Sequence, residues 1–83
     1  MPFSSASVTT SSAIIIPARP ERSVYFIANP PTSGQTIYIQ ENGAAIVGAG
    51  SLAIAPGNDF VGRGGAAVHA IAGGSTNVTV TEY

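Results

Sequence analysis

The sequence predicts an all-β fold: a small antiparallel β-sandwich or jelly-roll-like barrel of seven to eight short strands. Three observations lead there. Short runs of β-branched and aromatic residues alternate with a period of two. Segments rich in proline, glycine and asparagine separate those runs at short spacing. No stretch of useful length carries the helical apolar period.

Taken in order, residues 1–12 are small and polar apart from Phe3 and read as an N-terminal arm outside a single domain of residues 13–83. Phe3 is the arm's candidate anchor on a neighbour. A strand is expected at Ala13–Ile16, with Ile14 and Ile16 on one side and Ile15 on the other. Pro17 and Pro20 then end any ladder. The clearest signal follows. Residues 23–28 and 35–40 both alternate, and Asn29-Pro30-Pro31-Thr32-Ser33-Gly34 lies between them. That pattern predicts a β-hairpin with a six-residue loop, around which the other strands assemble. Tyr25 and Tyr38 are expected on its outward faces. Asn42-Gly43 is a turn dipeptide, and a short apolar piece, residues 44–47, runs up to a break at Gly48-Ala49-Gly50. Residues 51–55 form the next strand, with Leu52 and Ile54 on one face. Ala55-Pro56-Gly57-Asn58 fits a type II turn, because Pro56 presets φ and Gly57 accepts a positive φ. A strand resumes at Asp59, and residues 62–65 are a loop. In residues 66–72, Ala67, His69 and Ile71 share one face, and Val68, Ala70 and Ala72 share the other. In residues 77–83, Val78 and Val80 face in.

The chain has 83 residues and no cysteine, which excludes disulfides and thiolate metal sites. A domain of this size is marginal on its own core. Its 10 glycines and many alanines thin that core further. Only 8% of residues are charged and 45% are hydrophobic, against about a quarter charged in ordinary domains. There is no lysine, and a coat this bland suits a protein packed against copies or partners. The net charge of -1 offers no footprint for nucleic acid or an anionic membrane. The N-terminus lacks the pattern of a secretory signal, and no apolar run approaches the ~20 residues of a membrane span. Synthesis in the cytoplasm is the expectation.

No constellation in the sequence points to catalysis. His69 is the only histidine, so a metal cage, a triad or a cofactor site lacks companions. Gly62-Arg63-Gly64-Gly65 lacks the ending of a phosphate loop. The four carboxylates include no evident pair for glycoside chemistry. The expectation is a non-enzyme with no cofactor and no metal. Arg22 reads as a solvated edge charge, or as one member of a pair with Glu21, Glu41 or Glu82. A sugar site would have to use Tyr38 with Gln40, or Tyr83 with Glu82.

One resemblance runs through residues 13–83. The arginine-led strand Arg22-Ser23-Val24-Tyr25-Phe26-Ile27-Ala28-Asn29 is followed by Thr36-Ile37-Tyr38-Ile39. Then come Ile54-Ala55-Pro56-Gly57, Val68-His69-Ala70-Ile71-Ala72 and Asn77-Val78-Thr79-Val80. This order resembles a group of small virion structural proteins of tailed bacteriophages. The resemblance implies a β-sandwich on a phage particle, in the form of a capsid decoration (cement) protein. Its partners would be the major capsid protein and copies of itself, as a homotrimer on the outside of the shell. The candidate capsid or subunit contacts are Pro2, Phe3, Arg19, Arg22, Tyr25, Tyr38 and Arg63. A tail, neck or head-fibre component is the alternative within the same class. A carbohydrate- or receptor-binding module is the alternative from another class.

Overall fold

A computed structural model describes residues 3–47 and 52–83 of the chain. The described residues form eight strands: β1 (Phe3–Val8), β2 (Ala13–Ile16), β3 (Val24–Ala28), β4 (Ile37–Glu41), β5 (Leu52–Ile54), β6 (Asp59–Arg63), β7 (Val68–Ile71) and β8 (Thr76–Glu82). They make two four-stranded antiparallel sheets. Sheet A has the order β1-β8-β3-β6, and sheet B has the order β2-β7-β4-β5.

The pairing is nested. β1 pairs with β8, β2 with β7, β3 with β6 and β4 with β5. The chain is thus one long hairpin with its tip between β4 and β5. It is rolled so that β3 also meets β8 and β4 also meets β7. That is the jelly-roll arrangement. The Gly48-Ala49-Gly50 break lies outside the described residues.

The sheets face one another across Val8, Ile16, Tyr25, Ile27, Ile37, Ile39, Ile54, Val68, Ala70, Ala72, Val78 and Val80. Alternation builds this layer directly. Val78 and Val80 are buried while Asn77, Thr79 and Thr81 lie outside, and Val68 and Ala70 are buried while His69 and Ile71 are half-buried. The expected turn residues behave as predicted. Gly34 takes φ 69°, Gly57 φ 85° and Asn42 φ 57°.

Three expectations are corrected. Residues 23–28 and 35–40 do not form a hairpin, because β3 and β4 belong to different sheets. The Pro-Pro segment between them is a crossover. Asn29 anchors it from inside, donating Nδ2 to Gln35 O and to Ile54 O, both at 2.8 Å. Secondly, part of the expected arm is β1, which pairs in unbroken register with β8 from Phe3↔Thr81 to Val8↔Thr76. Its sequence is mostly small and polar, and of the side chains described in β1, Ala6 and Val8 reach the core. Thirdly, the register of β2 shifts between Ile14 and Ile16. That irregularity turns Ile15 as well as Ile16 toward the core and leaves Ile14 56% exposed. The start of the apolar piece after Asn42-Gly43 is loop, held by the Ala45 N–H donating to Ser12 Oγ at 2.9 Å.

Gly62 is required by packing. A Cβ there would lie 2.1 Å from Cζ of Tyr25, whose ring crosses the inner side of β6. Gly62→Ala is expected to cost about 1–3 kcal/mol through overpacking. Gly43→Ala, where the nearest atom would be 3.4 Å away, is expected to be nearly neutral. Urea denaturation of the two variants measures the contrast.

Candidate functional site

Charge is collected at one end of the roll. The ends of β2, β4, β6 and β8 and the starts of β3 and β7 lie together there, as the registers Val24↔Arg63, Tyr25↔Glu82 and Glu41↔Val68 place them. Arg19, Glu21, Arg22, Glu41, Arg63 and Glu82 all sit at this end or in its loops, while Asp59 sits at the other.

Arg22 is the centre of the charged end, and it is buried rather than solvated. Its Nε donates to Gly64 O at 2.9 Å, and its Nη1 donates to Pro17 O at 3.0 Å and to Glu82 Oε1 at 3.1 Å. Its Nη2 donates to Ala66 O. The guanidinium also lies 5.1 Å from the centroid of the Tyr25 ring. One side chain therefore joins the β2–β3 link, the β6–β7 link and the end of β8. Glu82 continues the inward face of Val78 and Val80. It accepts a second bond at 2.9 Å from Arg19 Nε, whose side chain is 48% exposed.

The glycines of residues 62–65 make this arrangement possible. Gly64 has φ 99°, which suits glycine, and presents its carbonyl to Arg22. A Cβ on Gly65 would lie 2.2 Å from Arg19 O, so the two backbones approach as only glycine allows. The Arg19 N–H donates to Gly65 O at 2.9 Å. The stretch that resembled a phosphate loop is a seat for Arg22.

Tyr25 is enclosed, and its hydroxyl donates to Glu41 Oε2, joining sheet A to sheet B. Burial, then the hydrogen bond to Glu41 and its negative charge, push the Tyr25 hydroxyl well above its ordinary range, with Arg22 opposing. Beside it a groove of about 460 Å³ opens between the sheets, walled by Ile39, Leu52, Phe60 and Gly62, with Arg63 at its rim.

The outer sheet faces are the reverse of this end. The outer face of sheet B carries Ile14, Tyr38, Gln40, Ala53, His69 and Ile71, with no Asp, Glu, Arg or Lys among its described residues. The outer face of sheet A carries Phe26 edge-on to Tyr83 at 5.3 Å, with Val61 directly opposite Phe26.

Of the seven candidate contacts, Arg22 and Tyr25 are corrected. Both are enclosed within a single chain and offer no side-chain surface to a partner. Arg63 is exposed, Arg19 is half-exposed but held by Glu82, and Tyr38 lies half-buried on the outer face of sheet B. The backbone of Phe3 is the first position of β1, and Pro2 lies outside the described residues. Phe26, Val61 and Asp59 were not among the seven, although Asp59 and Val61 alternate directly after the Pro56-Gly57 turn and Phe26 alternates with Val24 and Ala28. The pairing of Tyr83 with Glu82 in a sugar site fails, because Glu82 points inward to the arginines. Among the described residues no group of three or more His, Cys, Asp or Glu is placed to hold a metal ion. No helix among them is long and apolar enough to cross a membrane. Comparison with known proteins finds no family model, no curated protein and no solved structure that matches this chain.

Glu82→Gln removes the counter-charge of a buried arginine and is expected to cost about 3 kcal/mol. Arg19→Ala, at a half-exposed partner, is expected to cost less than about 1 kcal/mol. Equilibrium unfolding in urea compares them. Tyr25 gives a separate test in alkali. Its proton is held more tightly in the folded than in the unfolded chain, so its contribution is complete below the ordinary value of 10.0 and declines as pH rises above it. Stability measured from pH 8 to 11 is expected to fall at the alkaline end, and less steeply in Tyr25→Phe.

Proposed function

We propose that this chain is a non-enzymatic structural protein of a phage particle, a decoration (cement) protein that binds the outside of the shell. The observation that carries the reading is the charge distribution. The seven charged residues leave the outer face of sheet B without a charge and gather at the ends of the roll. A surface of that kind is suited to lying against protein. The resemblance of residues 13–83 to small phage virion proteins supplies the particle as the partner.

The mechanism is linkage. A protein that binds only the assembled shell stabilises it by RT ln(1 + [L]/Kd) per site, and many copies multiply the effect. The contact we assign to the shell is the outer face of sheet B, with Tyr38 on the inner strand β4 and Ile14 on the edge strand β2. This replaces the N-terminal arm as the main contact, since deleting residues 2–12 would strip β1 from β8 and disturb the fold itself.

Cosedimentation of the purified chain with phage heads tests the reading. Ile14→Lys is expected to lower shell affinity at least ~10-fold, because it places an unpaired charge in an apolar contact. Its melting temperature is expected to stay unchanged, since Ile14 is 56% exposed. Undiminished binding by Ile14→Lys and Tyr38→Lys would reject this face. A wild-type chain that binds no shell would reject the function. Copy number from stained gels of virions separates decoration, at hundreds per particle, from a neck or tail role at about a dozen.

A further inference from the structure

β6 is an outer strand of sheet A. Among the described residues β3 pairs with it on one side and no strand does on the other. The backbone groups it leaves open follow from the hydrogen bonds at its two ends. Asn29 N–H donates to Asn58 O, and Gly64 N–H donates to Ser23 O, both at 3.0 Å. Residues 58 and 64 therefore turn toward β3, and by alternation so do Phe60 and Gly62. Asp59, Val61 and Arg63 turn their N–H and C=O groups to the open edge. The same three residues place exposed side chains on the outer face.

We propose that β6 is a two-fold interface. A second copy of this chain adds its own β6 antiparallel and centred on Val61, joining two four-stranded sheets into one of eight. The charges set the register. Asp59 and Arg63 are four residues apart, or ~13 Å along a strand, too far to pair with each other. Neither has an ion-pair partner among the described residues. Antiparallel pairing about Val61 puts Asp59 of each copy directly across from Arg63 of the other, at both ends of the strand, where opposite charges attract. It also makes all three paired positions hydrogen-bonded ones, since their backbone groups already point outward. Val61, 50% exposed, meets its own copy and extends the apolar row begun by Phe26. On the inner side Phe60 comes opposite the bare Gly62 of the second copy, at the mouth of the groove between the sheets.

The other edges lack these features. β2 has its register shift and Pro17 next to it, β5 has three residues, and β1 carries no charge to set a register. Strands protected from self-pairing carry like charge, proline or a bulge. β6 pairs with β3 without interruption and carries opposite charges that match under a two-fold axis. The phage resemblance implied a homotrimer, whereas this edge is self-complementary only in pairs. The inference deepens the self-association within the function proposed above and rests on that reading for its context alone.

Light scattering of the wild-type chain across a concentration series is expected to give twice the 8.3 kDa of one chain. Arg63→Asp and Asp59→Arg each place like charges across the interface, and each is expected to weaken the dimer at least ~10-fold with an unchanged circular dichroism spectrum. Mixed in equal amounts, the two variants restore all the opposite pairings and are expected to form a one-to-one dimer. A wild-type monomer, a mass of three chains, or a mixture that stays monomeric would overturn the interface. Shell binding is scored separately. A dimer that binds no shell removes the proposed function and leaves the interface standing, and a shell-binding monomer does the reverse.

Discussion

A single buried guanidinium holds the charged end of this protein together. Rolling one long hairpin into two sheets brings several loops and strand ends to that end, each with carbonyl groups that need partners. Arg22 satisfies carbonyls from Pro17, Gly64 and Ala66, and its charge is balanced by Glu82. A planar group with several fixed donors can serve that many loops at once, whereas a lysine ammonium cannot match the geometry. The cost of burying charge is offset by four hydrogen bonds and by the Tyr25 ring alongside.

That requirement propagates into the neighbouring residues. Gly64 and Gly65 exist as glycines because one turns its carbonyl to Arg22 with a positive φ and the other lets the Arg19 backbone approach. Gly62 exists as glycine because Tyr25 crosses over it. Tyr25 in turn reaches Glu41 and links the two sheets. At the opposite end Asn29 performs a similar service, with its side-chain amide holding the β3–β4 crossover to the end of β5. The charged end is closed by the buried pair Arg22 and Glu82 and the other end by Asn29, and the middle is left mostly to isoleucine and valine.

Placing most of the charge at one end has a consequence for association. The sheet faces lose the repulsive coat that keeps small domains apart in solution. Specificity must then come from the few charges that remain near an edge. Asp59 and Arg63 are such a pair, at opposite ends of one strand with backbone groups facing outward between them. For a domain with so many alanines and glycines, additional burial between copies is a direct source of stability.

Alternation and turn residues specified the all-β class, most strand positions, the inward face of β8, and the turns at Asn42 and Gly57. These are local properties, set by a side-chain period of two and by φ preferences that each residue carries with it. The partnership of strands was not local. β3 and β4 carry the pattern of a hairpin, yet the Pro-Pro link passes between sheets, because Asn29 fixes it to a strand more than twenty residues further on. β1 looked like a polar arm because its sequence is mostly small and polar, and only its pairing with β8 identifies it as a strand. Arg22 carried the same ambiguity. Whether an arginine at a strand end is solvated or buried depends on which loops the roll brings around it. Those loops lie up to 44 residues away in the chain, and Glu82 lies 60 away, so long-range packing decided where this protein keeps its charge.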